Sequence, residues 1–172
     1  MKKKILLFLI TISVLSCDKM SENSQDGEES NNYIQWFNGE ALHDEMIRSG
    51  INHFLNIERE KAYVFFEKAI KLDSTSFAAH VIISSMSRPN SKKQETHYEL
   101  AKKHSMNNNE NSKRFVSLLN FKNNNGNRDI WGSSAEKNNI WEEMYEAEPK
   151  GGFIQFHRAT SSPNLDQRIK RL

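Results

Sequence analysis

Residues 42–86 read LHDEMIRSGINHFLNIEREKAYVFFEKAIKLDSTSFAAHVIISSM, and the fold class follows from their spacing. Leu42, Met46, Gly50, Phe54 and Ile57 recur at helical intervals along one face, and Ala62, Phe66, Ala69 and Leu72 along another. A 3.6-residue period with polar residues between predicts two amphipathic helices. Asn56 is placed to cap the second. Ser74-Thr75-Ser76 then separates it from a third helix, expected over Phe77 to Met86, and Pro89 ends that one because proline cannot continue a helical hydrogen-bond ladder.

Start signals recur downstream. Ser91 with Gln94 and Ser133 with Glu136 have capping-box spacing, and Ser162 precedes Pro163 as an N-cap precedes a first-turn proline. A helix beginning near Asn164 is expected to be short. The tracts Asn107 to Asn109 and Asn123 to Asn127 read as loops, since asparagine competes for its own backbone and favours turns. No stretch alternates like a strand for more than a few residues, so the expected class is all-α. Internal similarity pairs Phe66-Glu67-Lys68-Ala69 with Tyr98-Glu99-Leu100-Ala101 and, more weakly, with Trp141-Glu142-Glu143-Met144. An aromatic one turn before a small or flexible residue makes a knob and a hollow, which lets a neighbouring helix approach closely. Stacked antiparallel helix hairpins are the expected arrangement.

The amino terminus has a different character. Lys2, Lys3 and Lys4 precede an apolar run from Ile5 to Ile12, and small polar residues follow before the single cysteine, Cys17. The run is shorter than the roughly 20 apolar residues a spanning helix needs, and its order is that of an export signal. Val14-Leu15-Ser16-Cys17 resembles the lipobox of bacterial lipoproteins, which implies acylation of Cys17 as the first mature residue. Long acyl chains contribute about 0.8 kcal/mol per buried methylene, so more than one chain anchors firmly. A lone cysteine permits no intramolecular disulfide. Residues 18–32 are almost devoid of apolar side chains and are expected to form a flexible tether. The chain therefore divides into a signal peptide (1–16), a lipidated cysteine with its tether (17–32) and a helical domain (33–172). The resemblance implies a bacterial cell-envelope location, lipid-anchored, with the outer membrane favoured. Asp18, Glu22, Asp26, Glu28 and Glu29 fit sorting rules for more than one membrane face.

Within the helical domain the chain resembles the tetratricopeptide repeat. Gly50 stands at the small position of a first helix, and Ala62, Phe66 and Ala69 fall at the family's spacings in the second. Met46, Ser49 and His53 replace its usual Trp, Leu and Tyr, and Ser74 replaces its closing proline, though Pro149 takes that place in the third unit. Further likeness, over Phe66 to His80, Lys113-Arg114-Phe115, Met144 to Pro149 and Phe153-Ile154, is to envelope proteins with degenerate repeats. The resemblance implies a protein-interaction module whose concave groove is lined from the first helix of each pair. Asp44, Ile47, Ile51, Ala78, Val81 and Ser85 are the candidate contacts, with Ile51 and Val81 equally readable as core. The expected partner is a protein or peptide of the envelope, together with the membrane through the anchor. Oligomeric state is not legible in the sequence.

Other chemistries find little support. The formal charge is +2, and setting aside the first three lysines leaves 21 basic against 22 acidic residues, so no basic stripe for nucleic acid survives. His97 and His104 share a helix face but lack a third ligand, so neither metal nor cofactor is expected. His43-Asp44-Glu45 reads as solvated charge at a helix start, where acidic groups favour the positive end of the dipole. Gly151-Gly152 reads as a helix-ending turn with no phosphate-loop lysine, and Ser84-Ser85 and Ser133-Ser134 have no partner histidine in sequence. Enzyme activity is not expected. A hydrolase with a site assembled between helices is the rival reading, which His, Ser and carboxylate groups converging in a pocket would favour. A purely structural scaffold is a third. Tyr33, Trp36 and Phe37 are expected to strap over the first hairpin, the alternatives being an exposed contact patch or a segment lying on lipid.

Overall fold

The computed structural model describes residues 32–131 and 134–161. Among these the regular structure is helical: α1 (Ala41–Leu55), α2 (Arg59–Leu72), α3 (Phe77–Met86), α4 (Lys92–Ser105), α5 (Glu110–Ser117) with a 3-10 turn at Leu118–Asn120, α6 (Ala135–Ala147) and α7 (Gly152–Ser161). The only bridge of strand type among them joins Lys122 to Arg128. Cys17, the tether acids and the Ser162-Pro163 start signal lie outside the described residues.

Local chemistry sets the helix ends. The side chains of Ser91, Asn109 and Ser134 accept the N–H groups of Gln94, Ser112 and Lys137, satisfying first-turn donors that have no intrahelical partner. Expectation and structure differ at two caps. Asn56 ends α1 instead of starting α2, whose own start after Glu58 has no side-chain cap. The cap of α6 is Ser134, one residue beyond the expected Ser133.

Each helix packs on the next in sequence, and α3 also packs on α5. Nine of the ten residues of α3 are buried, as befits a helix flanked on several sides. Gly50 lets α1 lie directly against the Phe66 ring, for a Cβ there would come within 2.9 Å of it. Phe66, Ala69, Tyr98, Ala101, Trp141 and Met144, the three recurring pairs, are all buried. The inner face of α1 is rotated from the expected one. His43, Asp44, Ile47, Gly50 and Phe54 face inward, whereas Leu42 and Ile57 are exposed, at 56% and 73%. The rotation is tolerated because His43 and Asp44 find polar partners inside. Leu72 of α2 is likewise exposed.

The last of the described helices returns to the first of them. Phe153 and His157 of α7 bring their rings to 5.6 Å and 5.8 Å from Phe54 of α1, and Trp131 stacks on the same phenyl at 4.8 Å. The asparagine tract after Phe121 is a loop, as expected, turned at Gly126 with φ 76° and pinned by its own side chains. Buried Lys137 fastens it to α6 through the Asp129 carboxylate at 3.1 Å and the Trp131 carbonyl at 3.0 Å.

Candidate functional site

Two places gather polar side chains around space or around an irregular segment. The first is a strap. Residues 33–38 form neither helix nor strand and turn where the Trp36 N–H donates to the Ile34 carbonyl at 2.8 Å, with Ile34 and Trp36 buried and Phe37 exposed beneath the Arg48 guanidinium at 4.4 Å. Main-chain groups of the strap bond to side chains of other elements. Asn109 donates to the Tyr33 carbonyl at 2.6 Å, Ile34 N–H donates to Glu148 at 3.0 Å, and Gln35 N–H donates to the Ser112 hydroxyl at 3.0 Å. Trp36 sits 5.1 Å from the Phe115 ring and 4.9 Å from Phe153. Burial pushes the Glu148 carboxyl up, against the pull of the Ile34 N–H. A strap was expected, but its seat includes α5 and α7 and not the first hairpin alone.

The second is a pocket of about 250 Å³ between the strap, the start of α1, the α2–α3 turn and the end of α4, whose lining includes Trp36, His43, Asp73, Ser76, Phe77 and His104. His43 Nε2 lies 2.9 Å from the Ser76 hydroxyl and its Nδ1 lies 3.1 Å from Asp44 Oδ1. Asp44 also accepts the Asn38 N–H at 3.1 Å. Burial alone would raise the Asp44 carboxyl, but the hydrogen bonds from His43 and from the Asn38 backbone outweigh it and hold it below the usual range. Ionised Asp44 can only accept, so the neutral tautomer of His43 that fits carries its proton on Nδ1 and leaves Nε2 to accept the Ser76 O–H. Asp73, held low in the same way, accepts from Thr75 and Asn38 and fixes the turn that carries Ser76. The expectation that His43 and Asp44 are solvated is corrected: they are 2% and 8% exposed.

A third cluster, at the α3–α4 contact, is structural in its bonding. His80 Nε2 donates to the Ser74 carbonyl at 3.0 Å, which leaves its Nδ1 to accept from His97 Nδ1 at 2.7 Å. Burial, with His80 and Lys93 nearby, pushes His97 down to about 4. His104 stacks 6.2 Å from His80, yet no group of three or more residues suited to a metal occurs among the described residues.

The six candidate groove residues do not form an open surface. Asp44, Ile47, Ala78, Val81 and Ser85 are buried, and Ile51 is partly buried against the core. Asp44 is covered by the strap, and the Ser85 hydroxyl accepts the Ile130 N–H at 3.0 Å. The positions expected to face a partner thus face the chain itself. Ser76, Asn109, Ser112 and Glu148 were missed. Ser76 alone carried a signal, standing just before a helix too apolar to be exposed. No described helix is long and apolar enough to cross a membrane. No protein-family model, curated protein or solved structure matches the chain.

Proposed function

We propose that the chain is a lipoprotein anchored to a bacterial envelope membrane through Cys17, and that its tetratricopeptide-like stack of helix hairpins is a protein-interaction module. The carrying observation is the strap. Residues 33–38 are held as an irregular segment, with main-chain groups bonded to Asn109, Ser112 and Glu148 and an aromatic anchor seated between Phe115 and Phe153. Main-chain bonds supply affinity and side-chain pockets supply selectivity in extended-peptide recognition. A face built to hold this segment suits a segment of an envelope protein with an aromatic residue at the same place. The strap directly follows the tether, so occupancy of this face and the reach of the body from the membrane are linked.

Two measurements test the reading. Metabolic labelling with a fatty acid tests the anchor, since Cys17→Ser should lose the label and leave the membrane fraction. For the module, a synthetic peptide of residues 31–40 is titrated into the full chain carrying Trp36→Ala. Saturable binding is expected, weakened by adding Asn109→Ala. A folded variant that takes up no peptide sinks the interaction reading and leaves a purely structural scaffold.

A further inference from the structure

The geometry points to an acyl-hydrolase site in which Ser76 is the nucleophile, His43 the general base and Asp44 the residue that orients the base, acting on short-chain carboxylic esters bound in the pocket under the strap. Three observations carry it. The relay is complete and in the right sense, from the Ser76 hydroxyl to His43 Nε2 at 2.9 Å and from His43 Nδ1 to Asp44 Oδ1 at 3.1 Å. Such constellations are recognised by geometry and roles, not by chain order or fold. The relay faces space, since both Ser76 and His43 line the pocket of about 250 Å³, ample room for a short acyl group.

The third observation is what Ser76 does not do. Ser91, Asn109 and Ser134 use their side chains to accept a first-turn N–H of the helix they begin. Ser76 begins α3 but makes no such cap, and gives its hydroxyl to His43 instead. The first-turn N–H groups of Phe77 and Ala78 have no acceptor within the helix and lie at the positive end of its ten residues. An oxyanion formed on a carbonyl attacked by Ser76 would find donors there.

In the reaction the Ser76 oxygen bonds to the ester carbonyl carbon while His43 Nε2 takes the hydroxyl proton. The C–O bond to the alcohol then breaks as His43 returns that proton to the leaving oxygen. Solvent water attacks the acyl-serine, again giving a proton to His43, and the acid departs as Ser76 regains its hydrogen. Asp44 keeps its charge throughout and stabilises the imidazolium. Trp36, Phe37 and Phe77 are the apolar members of a mostly polar lining, which suits a small polar ester, and the Asp73 carboxylate there disfavours anionic substrates.

The inference does not rest on the interaction reading, and either can fail alone. The full chain is treated with a fluorophosphonate probe and the modified residue located by mass spectrometry. Labelling at Ser76 is expected in the native protein and should vanish in denaturant. His43→Gln should abolish it, and Asp44→Asn should slow it by about 10²-fold or more. Hydrolysis of p-nitrophenyl acetate should fall to the background rate in Ser76→Ala. If native protein is not labelled at Ser76, is labelled equally when unfolded, or hydrolyses the ester as fast with Ser76→Ala, the assignment is overturned. The comparison of native and denatured wild-type protein needs no variant to fold.

Discussion

Ile57 stands in a place that chemistry reserves for glycine. After α1, the Ile57 N–H reaches the Phe54 carbonyl at 3.0 Å and the Glu58 N–H reaches the His53 carbonyl at 2.9 Å, the paired bonds of a helix-ending Schellman turn. Ile57 takes the left-handed position with φ 63°, where a β-branched residue is strained, and its side chain is 73% exposed, so little packing compensates. Ile57→Gly should therefore raise the unfolding free energy by about 1 kcal/mol, read as a higher urea midpoint with unchanged slope. Gly50 is the opposite case. A methyl group there would meet the Phe66 ring at 2.9–3.0 Å, and the ring is fully buried. Gly50→Ala should cost about 1–3 kcal/mol by overpacking in spite of alanine's better helix propensity, and Gly50→Ala with Phe66→Leu should recover part of it in a double-mutant cycle. Gly50 and Phe66 were legible because a small residue and an aromatic at repeating spacing announce a close approach. His43 and Asp44 were not, because each looks like a surface residue until Ser76 and the Asn38 N–H, both distant in sequence, supply the partners that make burial tolerable.

At the level of elements, α3 was readable to its bounds, since ten residues without a charge between a serine and a serine-proline region have little else to become. The cap at Ser91 follows rules local to a few residues. The face of α1 does not. Its moment is divided between an apolar stripe through Leu42 and Ile57 and the observed one through Ile47 and Phe54, and only contact with α7, Trp131 and the strap decides between them. The strap could be guessed from Tyr33, Trp36 and Phe37, but its seat on α5 and α7 is made of residues 76 to 117 positions away that carry no motif. It belongs to the folded core. Trp36 is 8% exposed and touches two rings, so Trp36→Ala should cost about 3–5 kcal/mol, whereas Phe37→Ala, at 44% exposure, should cost far less. Chemical denaturation of the two variants side by side checks the contrast. Equal losses would mean that the strap contributes by tethering alone and not by the seat of its anchor.

The whole molecule is closed by one buried histidine. His157 of α7 stacks on Trp141 of α6 at 4.6 Å and meets Trp131 and Phe54 of the adjoining loop and α1, and neither of its ring nitrogens has a hydrogen-bond partner among the described residues. Burial pushes it down to about 3. Its imidazole is therefore neutral in the folded chain at any pH where the unfolded chain, near 6.5, begins to take up a proton. Above about 6.5 both states are neutral and pH has no effect through this group. Below it, the unfolded state gains a proton that the folded state refuses, so stability falls by up to about 1.4 kcal/mol per pH unit until the folded value is reached. His97, half-exposed and held near 4, adds a smaller loss in the same direction. Glu148, whose carboxyl is pushed up, acts oppositely above its unfolded value, its destabilising charge being neutralised as pH drops. One substitution isolates the dominant contribution. His157→Phe keeps the ring stack, removes two unsatisfied nitrogens and leaves nothing to protonate, so it should equal or exceed the wild type at pH 7.5 and unfold less readily at pH 5. Urea midpoints of both proteins at the two pH values measure this. A parallel decline in both would show that the closure of α7 on α1 is indifferent to this proton and that acid acts elsewhere in the chain.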